Sequence, residues 1–148
     1  MVVKMATTGR ESLGFLLADV SRLMRRAYLA HVDCGELTLA QARALLRISR
    51  QAGMRQIDLA EQMEIQPITL ARLIDQLEKA GHVERRPDPD DRRAYRLHLT
   101  RKAAAPLAAI NKVAAEVQLA AMKNLDKAEV EALFRAMEKM RGNLSERF

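Results

Sequence analysis

The stretch Gln56–Thr100, QIDLAEQMEIQPITLARLIDQLEKAGHVERRPDPDDRRAYRLHLT, decides the fold of this chain. Two short helical patterns in it meet at a tight turn over Glu64, Ile65 and Gln66. Two brief alternating runs follow and surround a loop rich in Pro, Asp and Arg. This order predicts helix, turn, helix and a β-hairpin wing. We expect a mainly α fold with a small β-hairpin wing, flanked by N- and C-terminal helices.

The second helical pattern, which begins at Pro67, separates into two faces. Its apolar stripe consists of Leu70, Leu73, Ile74 and Leu77. The opposite face carries Ile68, Thr69, Arg72 and Gln76. A core helix has no need of an exposed Ile, a hydroxyl and an Arg in its first turns, whereas a helix that enters a DNA major groove uses its first turns in this way. The pattern therefore predicts a recognition helix.

Positive charge is concentrated in the residues that follow that helix in the sequence. The net charge is +6, and seven basic residues lie between Arg85 and Lys102, against three acids. They are Arg85, Arg86, Arg92, Arg93, Arg96, Arg101 and Lys102. Charge alone supports two interpretations equally, a polyanion partner or a solvated basic hairpin.

Length and composition indicate one domain with its own core, since the chain has 148 residues and is 49% apolar. No apolar run approaches the roughly 20 residues of a membrane span. The first residues lack the apolar segment of a secretory signal. Cys34 stands alone and cannot form an intramolecular disulfide. We expect a cytoplasmic protein.

Helical periodicity continues on the N-terminal side of the recognition helix. A long amphipathic helix is predicted from Ser12 to about Val32, ending at the Asp-Cys-Gly sequence that follows. Thr38 and Gln41 form a capping box that opens the next helix. A short helix is expected from Arg55 to Met63, with Ile57 among its inward residues.

Two more helices are predicted after the wing. Thr100 is the expected cap of a helix that reaches about Asn124 and bends near Pro106. Asp126 and Glu129 form a second capping box, which opens a final helix up to Gly142.

These elements suggest three parts within one compact unit. They are an N-terminal tail and dimerisation helix (residues 1–35), a winged helix-turn-helix DNA-binding domain (36–100) and C-terminal dimerisation helices (101–148). A single copy has no obvious way to bury the terminal helices, whereas two copies packed together would bury them and place two recognition helices about one DNA turn apart. We predict a homodimer whose contacts include Leu13, Leu16, Val20, Val130, Leu133, Phe134 and Met137.

The segment RLIDQLEKAGHVERR at Arg72–Arg86, followed by DRRAYRLHLT at Asp91–Thr100, resembles the MarR family of winged helix-turn-helix regulators, and its SlyA-like branch in particular. The resemblance extends from about Ser12 to Met140. Members are homodimers that bind pseudo-palindromic operator DNA. The resemblance therefore implies a sequence-specific regulator, with a repressor expected, and a small aromatic or phenolic effector that lowers its DNA affinity.

The resemblance also implies roles for individual residues. Those that would face the major groove are Gln66, Pro67, Ile68, Thr69 and Arg72. Arg93 would reach a minor groove from the wing tip, held by an ion pair with Asp91. Those that would touch phosphates or support the wing are Arg85, Arg86 and Arg92. These side chains suit the chemistry, because Arg binds guanine O6 and N7 and an Ile can meet a thymine methyl.

Other functions have less support. The acids Asp88, Asp90 and Asp91 lack the spacing of a calcium loop, and the three histidines lie on different elements, so we predict neither a metal nor a cofactor. No nucleophile–base pair, phosphate-binding glycine loop or paired carboxylates indicate an enzyme. The alternative is a winged-helix protein-interaction module without DNA binding, which would present an apolar or acidic reading face.

The single cysteine and the methionines each have two interpretations. Some relatives use an N-terminal cysteine as a peroxide sensor, but Asp33 and Glu36 beside Cys34 disfavour a reactive thiolate, so an incidental thiol is the preferred interpretation. The methionines are interpreted as core filler. The alternative is a methionine-lined effector pocket between the DNA-binding domain and the dimerisation helices.

Overall fold

The computed structural model describes residues 12–31 and 37–146. Its helices are α1 (Leu13–His31), α2 (Leu39–Arg50), α3 (Gln56–Met63), α4 (Pro67–Lys79), α5 (Ala104–Ala121) and α6 (Lys127–Ser145). Its strands are β1 (Met54–Arg55), β2 (Val83–Pro87) and β3 (Tyr95–Leu99), and a 3-10 turn spans Arg101–Ala103. The order confirms the predicted mainly helical fold with a small β wing. The predicted Asp-Cys-Gly end of the first helix and the Cys34 thiol lie outside the described residues.

Two predicted capping boxes form as expected. Thr38 Oγ1 accepts from the Gln41 amide at 3.2 Å, and Gln41 Oε1 accepts from the Thr38 amide at 2.9 Å. Asp126 and Glu129 make the equivalent reciprocal pair, with both distances 2.8 Å. Each box pairs amides that a helix N-terminus leaves unsatisfied, which is worth about 1 kcal/mol per cap.

The junction between the wing and α5 differs from the prediction. Thr100 does not cap a helix with its side chain, because its hydroxyl donates to the Gly81 carbonyl and the 3-10 turn intervenes. Pro106 lies in the first turn of α5, where a missing N–H removes no helical bond, so the reason given for the predicted bend does not hold. The last helix continues past Gly142 to Ser145.

The wing is a three-stranded antiparallel sheet in the order β1-β3-β2. β1 was not predicted, since two residues are too few to show an alternating pattern. Pro87, which the sequence assigned to the loop rich in Pro, Asp and Arg, instead pairs with Tyr95 at the end of β2. β2 is an edge strand, where proline is tolerated because its nitrogen needs no partner.

The core lies within residues 39–99, from α2 to β3, which we call the reading head. It includes the predicted α4 stripe and is closed on one side by Ile110 of α5. Its largest fully buried side chains are Leu45, Ile48, Leu59, Leu70, Ile74, Leu77, Val83, Leu97 and Ile110. Ile57 was expected to face inward, but it is 54% exposed in the first turn of α3, on the side of the wing.

The terminal helices contrast with this core. α1 lies against α5, and neither α1 nor α6 contains a buried residue in the single chain. Most of the predicted dimerisation residues are exposed by 42–50%: Leu13, Leu16, Val20, Leu133, Phe134 and Met137. Val130 is partly buried. No helix in the described parts of the chain is long and apolar enough to cross a bilayer.

Candidate nucleic-acid interface

The reading face of α4 points away from the core. The turn before it is made by Glu64, which adopts a left-handed conformation with φ 55°, and by Gln66, the extended N-cap residue. Pro67 then opens the helix, as predicted. The buried stripe anchors one side of α4 in the core and therefore presents the other side to solvent. The exposed residues there are Gln66, Pro67, Ile68, Thr69 and Arg72.

The wing loop, residues 88–94, presents two arginines. Arg92 and Arg93 are both exposed. Asp91 Oδ1 accepts a hydrogen bond from the Arg93 amide at 2.9 Å, and the Asp91 carbonyl accepts one from the Ala94 amide at 3.0 Å. The predicted ion pair between the Asp91 and Arg93 side chains is not among the salt bridges of the described residues. Asp91 thus shapes the turn that carries Arg93 and leaves the guanidinium free to reach outward.

Arg85 is bound to the helix-turn-helix on several sides. Its side chain is 16% exposed, and its Nη1 lies 2.7 Å from Asp75 Oδ1 and 2.8 Å from Glu78 Oε2, both on α4. Its Nη2 donates to the Ala71 carbonyl at 3.1 Å, and its Nε to Gln56 Oε1 at 2.8 Å. Of the two predicted roles for Arg85, these contacts favour support of the wing.

Gln56 and Arg86 also have local partners. Arg55 is the N-cap residue of α3, and the Gln56 side chain that follows it binds Arg85. Arg86 is exposed and pairs with Glu84 on the same strand. A surface pair of this kind contributes little to stability and leaves Arg86 available to an anion.

Asp88 is a buried acid that the sequence reasoning missed as a structural centre. Its side chain is fully buried, with Oδ2 2.9 Å from Arg55 Nε and 3.2 Å from Arg96 Nε. Oδ1 accepts from the Asp90 amide at 2.9 Å. That amide, opposed by burial and assisted by Arg55 and Arg96, holds the pKa of Asp88 below its ordinary value. The sequence signal was an acid set between two prolines, which gives no periodicity to detect.

The remaining acids and histidines do not gather around a common point. Within residues 12–31 and 37–146, no three His, Cys, Asp or Glu side chains are placed to hold a metal ion. In the wing loop the Asp88 carboxylate is occupied by two arginines and an amide.

A groove of about 280 Å³ with a mixed polar and apolar lining separates the wing from the start of α3 and α4. Its lining residues are Arg55, Gln56, Ile57, Pro67, Asp91, Arg93, Ala94 and Tyr95. The amino ends of both helices open toward it, and helix amino ends favour anions. Two arginines, Arg55 and Arg93, and one acid, Asp91, lie in its walls.

A second cavity lies between the reading head and the terminal helices. It has a volume of about 210 Å³ and is lined by Met24, Arg25, Tyr28, Leu39, Arg43, Leu46, Ala114 and Val117. These residues belong to α1, α2 and α5, and most of the lining is apolar. Of the methionines, Met63 is buried in the core, as the core-filler interpretation expects, whereas Met24 lines this cavity.

A hydrogen bond joins α2, which contributes other residues to that cavity, to the recognition helix. Gln41 Nε2 on α2 donates to Gln76 Oε1 on α4 at 3.0 Å. Gln76 is exposed, as its predicted place opposite the apolar stripe requires, and its side-chain oxygen accepts this bond from α2. Gln41 is also part of the α2 capping box, so this hydrogen bond connects the start of α2 to α4.

Comparisons with known proteins agree with this arrangement. Residues 37–95 match the MarR family. The crystal structure of MarR is 30% identical, with a TM-score of 0.75, and the match covers 96% of each chain. The transcriptional regulator PA3341 is 32% identical, with a TM-score of 0.75, covering 92% of this chain and 100% of that one.

A third structure shows the same fold at lower identity. BpsR of Bordetella bronchiseptica, whose DNA binding is regulated by 6-hydroxynicotinic acid, is 23% identical with a TM-score of 0.71. The match covers 88% of this chain and 99% of that one.

Proposed function

This chain belongs to the MarR family of DNA-binding transcriptional regulators, and on that premise we propose that it is a homodimeric repressor of a pseudo-palindromic operator, released by a small aromatic acid. The observation that carries the proposal is the exposed first part of α4 beside an arginine-bearing wing. A protein-interaction module would need an apolar or acidic face there, whereas this face carries Thr69 and Arg72.

In the proposed complex, α4 lies in the major groove and the wing follows the backbone. Arg72 and Thr69 contact base edges, Ile68 meets a thymine methyl, and Gln66 and Pro67 approach the strand at the start of the helix. Arg93 reaches the adjacent minor groove, while Arg86 and Arg92 contact phosphates. Asp91 acts by shaping the turn under Arg93.

The proposed dimer is formed by the terminal helices. Its contacts would be the apolar residues of α1 and α6 that a single chain leaves exposed: Leu13, Leu16, Val20, Val130, Leu133, Phe134 and Met137. A two-fold arrangement of these helices would present two α4 helices to successive major grooves on one side of the duplex.

The proposed effector site is the cavity of about 210 Å³ between α1, α2 and α5. Its apolar wall suits an aromatic ring, and Arg25 and Arg43 can bind a carboxylate or phenolate. An effector that binds better to a dimer with wrongly spaced recognition helices shifts the population away from DNA. The regulation of BpsR by 6-hydroxynicotinic acid supports this class of ligand.

Two finer assignments complete the proposal. The wing sequence from Asp91 to Thr100 supports placement in the SlyA-like branch. We place the protein in the cytoplasm because its proposed operator lies there.

Selection from a randomised duplex pool at two salt concentrations tests the proposed function. The expected result is enrichment of an inverted repeat with half-sites about one helical turn apart. Steep salt dependence without an enriched sequence would reduce the function to non-specific binding. Absence of binding would favour the interaction module.

A further inference from the structure

Asp88 is a carboxylate in an unusual place, buried inside a loop whose neighbouring acids are exposed. It is 3% exposed, whereas Asp90 and Asp91 face solvent. Burial of a carboxylate is costly unless charges and hydrogen bonds compensate for the lost hydration. In a short surface hairpin, an apolar residue would satisfy the packing without that cost. The compensating contacts of Asp88 therefore indicate what the carboxylate achieves.

Those contacts join three segments of the molecule. Arg55, at 2.9 Å, ends β1 and is the N-cap residue of α3, the first helix of the helix-turn-helix. Arg96, at 3.2 Å, lies in β3, and its Nη1 also donates to the Gly53 carbonyl at 3.1 Å. Within the loop, Asp88 binds the Asp90 amide through its side chain, and its own amide donates to the Ala94 carbonyl at 3.0 Å. One side chain thus fixes the base of the wing loop to the sheet and to the start of α3.

The groove beside the recognition helix is bordered by one of the two arginines that bind Asp88. Arg55 and Arg93 both line the groove, together with Pro67 at the start of α4. Arg93 is carried by the loop that Asp88 closes, and Arg55 is held directly by Asp88. The distance across the groove therefore depends on the Asp88 contacts.

We propose that Asp88 is the positioning residue of the wing: its ion pairs with Arg55 and Arg96 hold the wing loop at the spacing from α4 that lets Arg93 reach DNA. The inference rests on the proposed wing contact and adds to it a residue that touches no DNA. Because Arg55 and Arg96 are paired with Asp88, they act as fixed supports. Arg92 and Arg93 are exposed and form no salt bridge with another described residue.

A set of double substitutions distinguishes positioning from general stabilisation. Asp88→Asn is nearly isosteric and removes the charge that binds both arginines. Asp90→Asn is the matched control, because it removes the same charge from an exposed side chain in the same loop. Each is made alone, with Arg93→Ala and with Arg72→Ala. Binding to the duplex enriched from the randomised pool, or otherwise to a fixed mixed-sequence duplex, is measured by fluorescence anisotropy.

If Asp88 positions the wing, Asp88→Asn weakens binding about tenfold, as much as Arg93→Ala alone does. Adding Arg93→Ala to Asp88→Asn then changes the Kd by less than about twofold, because the wing contact has already been lost. Arg72→Ala keeps its full effect in the Asp88→Asn background, since α4 is undisturbed. Asp90→Asn leaves binding undiminished.

Three results would overturn the inference, each with its own signature. Equal effects of Arg93→Ala with and without Asp88→Asn would leave the wing contact standing and remove the role of Asp88. No effect of Arg93→Ala in the wild-type protein would refute the wing contact itself, and the positioning of Arg93 with it. Loss of the Arg72 contribution in Asp88→Asn would show that the carboxylate merely maintains the fold.

A second variant covers the case in which Asp88→Asn does not fold, as judged by circular dichroism. Arg96→Gln removes one of the two ion pairs from a residue outside the groove lining and leaves Asp88 bound to Arg55. It should reproduce, in weaker form, the non-additivity with Arg93→Ala. Full additivity in this variant contradicts the inference.

Discussion

The reading head and the terminal helices differ in how far one chain can complete them. Every helix of the reading head buries a stripe of its own, and α4 places Leu70, Ile74 and Leu77 out of contact with water. α1 and α6 bury no residue, although both carry apolar stripes as long as those of the core helices. At about 25 cal/mol per Å², such surface is a large unused source of stability. The difference is the basis for our proposal that one chain forms the DNA-reading surface and that a second copy covers the terminal helices.

The largest expected effect follows from disrupting the exposed apolar stripes of the terminal helices. Phe134→Glu places a charge in the exposed stripe of α6, and two-fold symmetry would place it in the interface twice. We expect dissociation to monomers and loss of operator affinity by at least about 100-fold, because one recognition helix no longer holds the other near its half-site. Sedimentation and anisotropy measure the two effects.

Ala132→Glu provides the control for that substitution. Ala132 is exposed on the opposite side of α6, so the same charge should leave the dimer intact. An unchanged mass for Phe134→Glu would show that the α6 stripe is not the interface.

Arg72→Ala removes the central contact of the reading face without affecting the core. Operator binding should weaken more than about tenfold, and discrimination between operator variants should relax at the base that Arg72 reads. Lys79→Ala, at the other end of the same helix, is the control and should change binding little. Competition with single-base operator variants measures the change, and unaltered discrimination would exclude a base contact by Arg72.

Substitutions of Arg93 and Arg85 separate two roles within the wing, contact with DNA and support of the fold. Arg93→Ala should weaken operator binding about tenfold with an unchanged unfolding free energy, since Arg93 is exposed. Arg85→Ala should destabilise the fold by about 2 kcal/mol, because it leaves the Gln56 side chain and the Ala71 carbonyl without their partner. Urea unfolding and anisotropy on both variants separate the roles. A loss of stability in Arg93→Ala together with a loss of binding alone in Arg85→Ala would contradict the described contacts.

The smallest expected effect concerns acid stability. The pKa of Asp88 is lower in the folded chain than its ordinary value of 3.8, so the folded state is favoured above that value. That contribution is lost as the pH falls from about 5 toward the lowered folded value. Asp88→Asn should therefore make the unfolding free energy measured in urea fall less steeply as the pH is lowered below about 5. An identical acid limb in Asp88→Asn would show that the carboxylate titrates alike in both states.

The predictability of this chain from sequence depends on the range of the interactions involved. The helices, both capping boxes and the α4 stripe could be predicted because they depend on residues within one or two turns of each other. β1 could not, since it exists only through pairing with β3, more than 40 positions along the chain. Arg85 and Asp88 illustrate the same point for the site, because their partners Gln56 and Arg55 are separated from them by 29 and 33 positions.

Ile57 and Gln76 show a second reason why some contacts could not be predicted from the sequence. Both were assigned by helical periodicity, which gives the direction of a side chain but not what lies there. Ile57 faces the wing groove and Gln76 meets Gln41. Neither neighbour can be inferred from the local pattern.

The central claim is that two chains act together on one DNA site. Sedimentation equilibrium of the protein with its enriched duplex tests it most directly, because the mass of the complex counts the chains. We predict a complex that contains two copies of the 16.7 kDa chain per duplex, without a stable species that contains one. A complex with a single chain, bound as tightly to half of the repeat as to the whole, would contradict the account.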